Sequence, residues 1–562
     1  MLLAPLLLLA SALPQQPEPA TTVELIAQYT ADRDALARVY SIPLSEAWAQ
    51  TRTRYTMEWA ADLEAIDFKC LKQSAQIDWL LLHNLVLHDH AAAEQEAGRL
   101  AEIQALVTFA PPLVALLEEK AHRNLVSADQ VAQVFADSVD AIDQSMEQFR
   151  ESTPEVAPSV ANRAAQQVEW LQSMLRGLHQ DRMGYEPEYS WWCAAPWKNL
   201  RPKLEEYAVF LREEVGGLEA DNPDQLIGDP IGRAALVQEL EFERIAYSPE
   251  ELIAIAEREF AWCQDERMKA AAEMGLGNDW KAAQEQVKKL HVPPGEQPQL
   301  IQQLADEAIA FLDERDLVTI PDVARKVWRM DMMSVERQKF TPYFTGGEVI
   351  SIAYPTDGME HEDKIMSMRG NNRHYAKATV HHELIPGHHL QGYMSRRWNP
   401  QRRAFYTPFL VEGWALYWEL RLWDMDFAES PEDRIGMLFW RSHRCARIIF
   451  SLKFHLGEWS PEECVDFLVD QVGHERRNAT AEVRRSIQGG YGPLYQCAYM
   501  TGGLQLRALQ NELVENGSWT DKQFHDAVLR KGSIPIELLR AELLGLDLTT
   551  DFPVTWRFDN AK

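Results

Sequence analysis

Residues 378–393 read ATVHHELIPGHHLQGY, and residues 409–423 read FLVEGWALYWELRLW. Four of the chain's 16 histidines fall within positions 381–389, a density that points to a metal site. Two imidazoles one helical turn apart, with a glutamate directly after the first, are the H-E-x-x-H arrangement. There the histidines hold zinc and the glutamate acts as general base. His382-Glu383 opens such a pattern, but the position four residues on is Pro386, and His388 is six residues on. Six residues turn a regular helix by roughly 600°, which leaves two side chains about 120° apart. Pro386 also removes a helix hydrogen bond and clashes with the preceding turn. The spacing therefore predicts a kink or bulge at Pro386-Gly387 that returns His388 to the face of His382. His381 and His389 remain alternatives by spacing; Glu383 favours His382 by following it directly.

The second stretch predicts an amphipathic helix on which Glu412 and Glu419, seven residues apart, share one face. Acids in such apolar surroundings are paired or bound to a metal. One reads as a third ligand and the other as a carboxylate that orients a histidine from behind.

Outward from these two stretches, most of the chain carries apolar residues at three- and four-residue spacing, as at 76–108, 160–179, 232–272 and 298–315. Helix starts repeat one design in Ser248-Pro249-Glu250-Glu251, Ser430-Pro431-Glu432-Asp433 and Ser460-Pro461-Glu462-Glu463. In each, serine caps, proline suits the first position and acids face the positive helix end. Pro-rich breaks are expected at 154–158, 186–202, 222–230 and 293–298. Residues 339–355, KFTPYFTGGEVISIAYP, are rich in β-branched and aromatic residues around Gly346-Gly347 and read as a hairpin. The expected fold is mainly α, with a small β-hairpin or sheet beside the His-Glu helix. A helical part (14–335) and a part carrying the metal site (336–562) are expected to form one compact unit with a deep cleft between them.

The 562 residues hold 56 lysines and arginines against 85 acids, a net charge of −29. Nucleic-acid binding rests on cations that neutralise phosphates, so this balance excludes it as a partner, along with anionic membrane surfaces. Residues 2–13, LLAPLLLLASAL, are too short to span a bilayer. They read as a signal peptide (1–13) with Ala10-Ser11-Ala12 as cleavage site, although no basic residue precedes them. Export to the periplasm or exterior is the expectation, and no later segment qualifies as a membrane span. The six cysteines are scattered without a C-x-x-C pair, which fits neither a zinc ribbon nor a disulfide scaffold.

HHELIPGHHLQ, VEGWALYWE and FHDAVLRKGSIPIELLRAEL together resemble a bacterial family known as DUF885, with its HExxPGHHxQ, EGWAxYxE and FHDxVLxxGxxPLxxLR motifs. That family is in turn similar to the helical gluzincin metallopeptidases, of the angiotensin-converting enzyme, thimet oligopeptidase and Taq carboxypeptidase type. The resemblance implies a ligand glutamate 24 residues after the second histidine, hence Glu412 after His388, with Glu419 and His389 supporting the ligands. It also matches Arg484 and Tyr499 within EVRRSIQGGYGPLYQCAYMTGG (482–503), where Tyr499 would stabilise an oxyanion and Tyr491 and Tyr495 are rivals. Where the family has Pro-Gly-Gln, this chain has Pro493-Leu494-Tyr495.

The expected activity is hydrolysis of short peptides at one zinc ion held by His382, His388 and Glu412, with Glu383 as base. The strand at 347–354 would pair with the peptide. Arg369, Arg373, Arg484 and Arg485 are candidates to grip a substrate carboxylate, with Arg484 and Arg369 preferred. A metal-dependent amidase acting on a non-peptide amide, and a non-catalytic peptide-binding protein with a vestigial site, are the competing readings. No G-x-S-x-G elbow supports a nucleophilic serine.

Overall fold

In the computed structural model the described residues are 21–152, 155–219, 222, 225–338, 343–353, 355–488 and 490–559. The leader expected at 1–13 lies outside them. Twenty-three α-helices account for most of the described residues, and a two-stranded sheet is the only regular β-structure among them. The serine-capped starts form as their sequences dictate. Ser248 and Ser460 make reciprocal capping boxes with Glu251 and Glu463, and Ser430 accepts from the Asp433 N–H.

Two sequence expectations change. The Pro-rich stretch 186–202 is not a break: helix Pro187–Phe210 runs through both Pro196 and Pro202. Each proline removes one backbone bond, whereas the same helix buries Tyr189, Trp197, Leu200, Leu204 and Tyr207, and that packing prevails. The hairpin around Gly346-Gly347 is reduced to one antiparallel bridge, Thr345 to Ser351. The main partner of strand Val349–Ile352 is instead the upstream strand Arg329–Met332, in parallel register from Arg329–Val349 to Met332–Ile352. Periodicity marks a strand but not its partner, and here the connection through helix Val335–Gln338 decides it.

One buried core crosses the boundary expected near 335. It takes Ile26, Trp79 and Leu82 from early helices, Trp414 and Trp418 from the middle, and Leu538 and Leu539 from the end. Residues 103–211, joined by Ile42, pack a second cluster around Phe135, Leu171 and Tyr207. Three helices, besides those that bear the histidines, build the site. Pro431–His455 is buried along most of its length. Pro408–Asp424 and Tyr495–Gln510 cross so closely that a Cβ on Gly413 would lie 2.6 Å from Gly502 Cα, and one on Gly502 would lie 1.9 Å from the Phe409 carbonyl oxygen. Only glycine permits this backbone contact. No helix among the described residues is long and apolar enough to cross a membrane.

Candidate metal centre

Helix Arg373–Glu383 stops at Glu383, and a second helix, His388–Ser395, begins at His388. The expected kink is thus a complete interruption, residues 384–387, and not a bulge in a continuous helix. The Ile385–Pro386 peptide bond is cis. The turn is held by Gly387 N–H donating to the His381 carbonyl at 3.0 Å and by Trp414 Nε1 donating to the Pro386 carbonyl at 2.8 Å. A Cβ on Gly387 would sit 1.8 Å from the His382 carbonyl oxygen, so the sharp return needs glycine.

The interruption re-aims His388. Its ring centre lies 4.8 Å from that of His382, with the planes 85° apart. Both present Nε2 to Glu412 Oε2, at 3.7 Å from His382 and 3.1 Å from His388. The three donor atoms all lie within 4.8 Å of one another. Zinc–ligand bonds of about 2.0–2.2 Å in tetrahedral geometry set donor separations of roughly 3.3–3.6 Å; the two measured distances to Glu412 bracket that range. Imidazole and carboxylate donors suit zinc, so the residues present fit such an ion.

Behind the ligands, Glu419 Oε1 accepts from His382 Nδ1 at 2.6 Å, which fixes the tautomer that leaves Nε2 free to ligate. Burial opposes a charge on His382, but its bonds to Glu412 and Glu419 raise its pKa to about 9. Burial likewise pushes the Glu412 carboxyl up, yet His388 and His382 hold it well below the usual carboxylate range.

The two alternative histidines have other surroundings. His381 is buried edge-on against Phe427, 5.8 Å between ring centres, and burial lowers its pKa to about 3. His389 does not meet a ligand as the resemblance implied: its Nε2 meets the Ala324 carbonyl at 2.7 Å.

A cavity of about 640 Å³ opens over these ligands. Glu383 lines it beside His382, and the backbone of Gly346 presses against Glu383 so closely that a Cβ there would fall 2.4 Å from Oε2. Two tyrosines also line it. Tyr495 donates to Glu412 Oε1, and Tyr499 stacks parallel to the His382 ring at 6.2 Å. Both are held neutral, Tyr499 by burial and by the Glu412 charge, against the pull of Arg447 and its neighbours.

The strand expected at 347–354 forms over 349–352 and does not line the cavity; it is paired with 329–332 and, at Ser351, with Thr345, and segment 343–346 faces the cavity instead. Of the arginines proposed from sequence, Arg485 lines the cavity. Arg369 pairs with Glu285 outside it, Arg373 lies 3.6 Å from Glu307, and Arg484 is not among the lining residues. Sequence reasoning missed Arg444 and Arg447, which do line it. The available signal was Arg441-x-x-Arg444-x-x-Arg447, a basic stripe at helical spacing inside helix Pro431–His455.

The sequence profile of a family described as bacterial protein of unknown function, DUF885, matches residues 28–543. No curated protein matches. Among solved structures, a candidate lipoprotein of unknown function from Shewanella oneidensis aligns with a TM-score of 0.69 at 17% identity, covering 94% of this chain and 100% of its own. A candidate lipoprotein from Colwellia psychrerythraea aligns with a TM-score of 0.57 at 14% identity, covering 93% and 99%. Both likenesses are of fold.

Proposed function

The chain belongs to DUF885, a bacterial family of unknown function, and on that premise we propose that it is a zinc-dependent peptidase acting on short peptides. The observation that carries this reading is the position of Glu383. It shares one cavity with three converging metal donors, and two neutral tyrosines that touch Glu412 and His382 line the same cavity. A zinc ion held by His382, His388 and Glu412 would supply a Lewis acid that acidifies water to near neutrality and polarises the substrate carbonyl.

The protein's own groups do the rest. Glu383 removes a proton from the attacking water and passes it to the leaving amine. Tyr499 or Tyr495, each a hydroxyl donor at the cavity wall, steadies the negative charge that develops on the carbonyl oxygen. Glu419 keeps His382 in one tautomer throughout. The cavity's enclosure selects short or unfolded chains, since a folded protein could not enter it.

The apolar leader, and the lipoprotein designation of both structural neighbours, support an exported protein, in the periplasm or outside the cell.

Elemental analysis of protein purified without a metal-charged resin, paired with a panel of short peptides and simple amides, tests the reading. About one zinc per chain is expected, lost in His388→Ala and kept in Glu383→Gln, with peptide turnover in Glu383→Gln reduced by about 10²–10⁴-fold. A wild type that takes up no zinc when offered it, or full activity in Glu383→Gln, would overturn the proposal. Hydrolysis of simple amides but not peptides would favour the amidase.

A further inference from the structure

The cavity's chemistry is at odds with the molecule around it. In a chain of net charge −29, the cavity is lined by Arg444, Arg447 and Arg485, the first two over the Tyr499 ring. Arg444 and Arg447 bracket that ring at 4.7 and 4.6 Å, and Arg485 lies 4.9 Å from the ring of Tyr491 at the rim. Helical spacing builds the cluster: 444 and 447 are three apart on one helix, as are Glu482 and Arg485 on another.

These guanidiniums have few partners. Glu482 takes one bond from Arg447 Nε at 2.6 Å, while Arg447 Nη1 is buried with no acceptor among the described residues. Arg444 is 5% exposed, yet its closest carboxylate, Glu419 Oε1, is 3.7 Å away and already bonded to His382. Arg485 Nε is also buried without an acceptor. Arginine is planar, permanently charged and shaped for two-point contact with a carboxylate. Buried donors left open on a cavity wall are costly unless a ligand completes them.

We propose that Arg444, Arg447 and Arg485 receive the free C-terminal carboxylate of the peptide, making the enzyme a carboxypeptidase that removes one or two C-terminal residues. This rests on the peptidase reading above and names its substrate end. Both arginines on the Pro431–His455 helix reach within about 11 Å of the His382 ring, and an extended residue spans at most ~3.6 Å. A chain gripped at its carboxylate therefore places the last or second-last peptide bond at the ligands. Water adds across that bond. Its oxygen joins the carbonyl carbon, the C–N bond breaks, and the proton taken by Glu383 goes to the released amine. The acidic exterior and the basic wall act together, because anionic groups are favoured only inside the cavity.

The test uses full-length zinc-loaded Glu383→Gln protein, which holds peptides without cleaving them, and three matched peptides: a free acid, its C-terminal amide, and an amide carrying a penultimate glutamate. Calorimetric binding of the free acid is expected to be about 10- to 100-fold tighter than that of the plain amide. The gap should close when Arg485→Gln or Arg444→Gln is added. Arg485 is the less buried of the two and guards against a misfolded variant. Equal binding of acid and amide overturns the assignment even if wild-type protein cleaves both. Glutamate-amide binding as tight as the free acid also overturns it and assigns the arginines to an acidic side chain. Mass spectrometry of wild-type digests gives an independent reading: C-terminal trimming supports the proposal, and internal cuts in amidated peptides refute it. Failure of the peptidase reading shows separately, as no cleavage of any peptide, while binding still reports on the arginines.

Discussion

Glu412 and Glu419 lie two turns apart on one helix, both buried, and meet opposite nitrogens of the same imidazole. The sequence shows that both face one way but not which nitrogen each would meet, because that depends on how the ring of His382 is turned. The spacing of 24 residues after His388, taken from a family resemblance, selected Glu412. The choice between His381 and His382 was legible only through the adjoining Glu383. Glu419→Gln keeps shape and volume but cannot take the Nδ1 proton as a charged acceptor. Zinc affinity, measured by competition with a chelator, is expected to fall by about 10–100-fold while the site stays saturable. Unchanged affinity would remove the orienting role from Glu419.

At the scale of elements, the decisive events are breaks and close approaches, and these are the features a periodic reading handles least well. Pro386-Gly387 announced a distortion, but its form depends on Trp414 reaching from another helix. The late motif at 524–543 was legible as a motif and silent as to purpose. Its His525 joins the Tyr417 hydroxyl at 2.8 Å and the Leu317 carbonyl at 2.7 Å, and so braces the Glu412 helix from behind. The basic stripe on Pro431–His455 was missed because its burial comes from helices distant in sequence. The Gly413–Gly502 crossing sets how near Tyr495 and Tyr499 come to Glu412. Gly502→Ala must push the two helices apart, at a cost of about 1–3 kcal/mol. A lowered melting temperature together with weaker zinc binding is the expected result. Gly98→Ala is the control: it lies in helix Gln73–Ile103 with nothing within 4 Å of an added Cβ, and it should stabilise by up to about 1 kcal/mol. Loss of stability in Gly502→Ala without any change in zinc affinity would separate the crossing from the site.

At the scale of the molecule, helical composition made the fold class legible, but the seams that join the helices were not. One seam is Arg402, fully buried, which bonds Asp78 Oδ1 at 2.7 Å and Glu542 Oε2 at 2.7 Å. It ties helix Gln73–Ile103 to helix Ile536–Leu544 from a segment only seven residues past the end of the His388 helix. Removing one member of such a network leaves charges buried without their partner, which costs about 3–5 kcal/mol. Arg402→Met should sit at the lower end, because Lys531 still reaches Glu542 at 3.0 Å and Gln401 still reaches Asp78 at 3.2 Å. Adding Asp78→Leu to Arg402→Met should restore part of the loss, since a well-packed apolar pair can replace a buried ion pair. The same variant decides whether the chain unfolds as one unit. Ligand that binds only the native state raises the midpoint of whatever cooperative unit contains its site. If the core that runs from Ile26 to Leu539 is a single cooperative unit, Arg402→Met lowers one calorimetric transition and zinc raises that same transition. Two transitions, with zinc moving one and Arg402→Met moving the other, would instead divide the molecule into separately folding parts and detach the metal centre from the seam that anchors it.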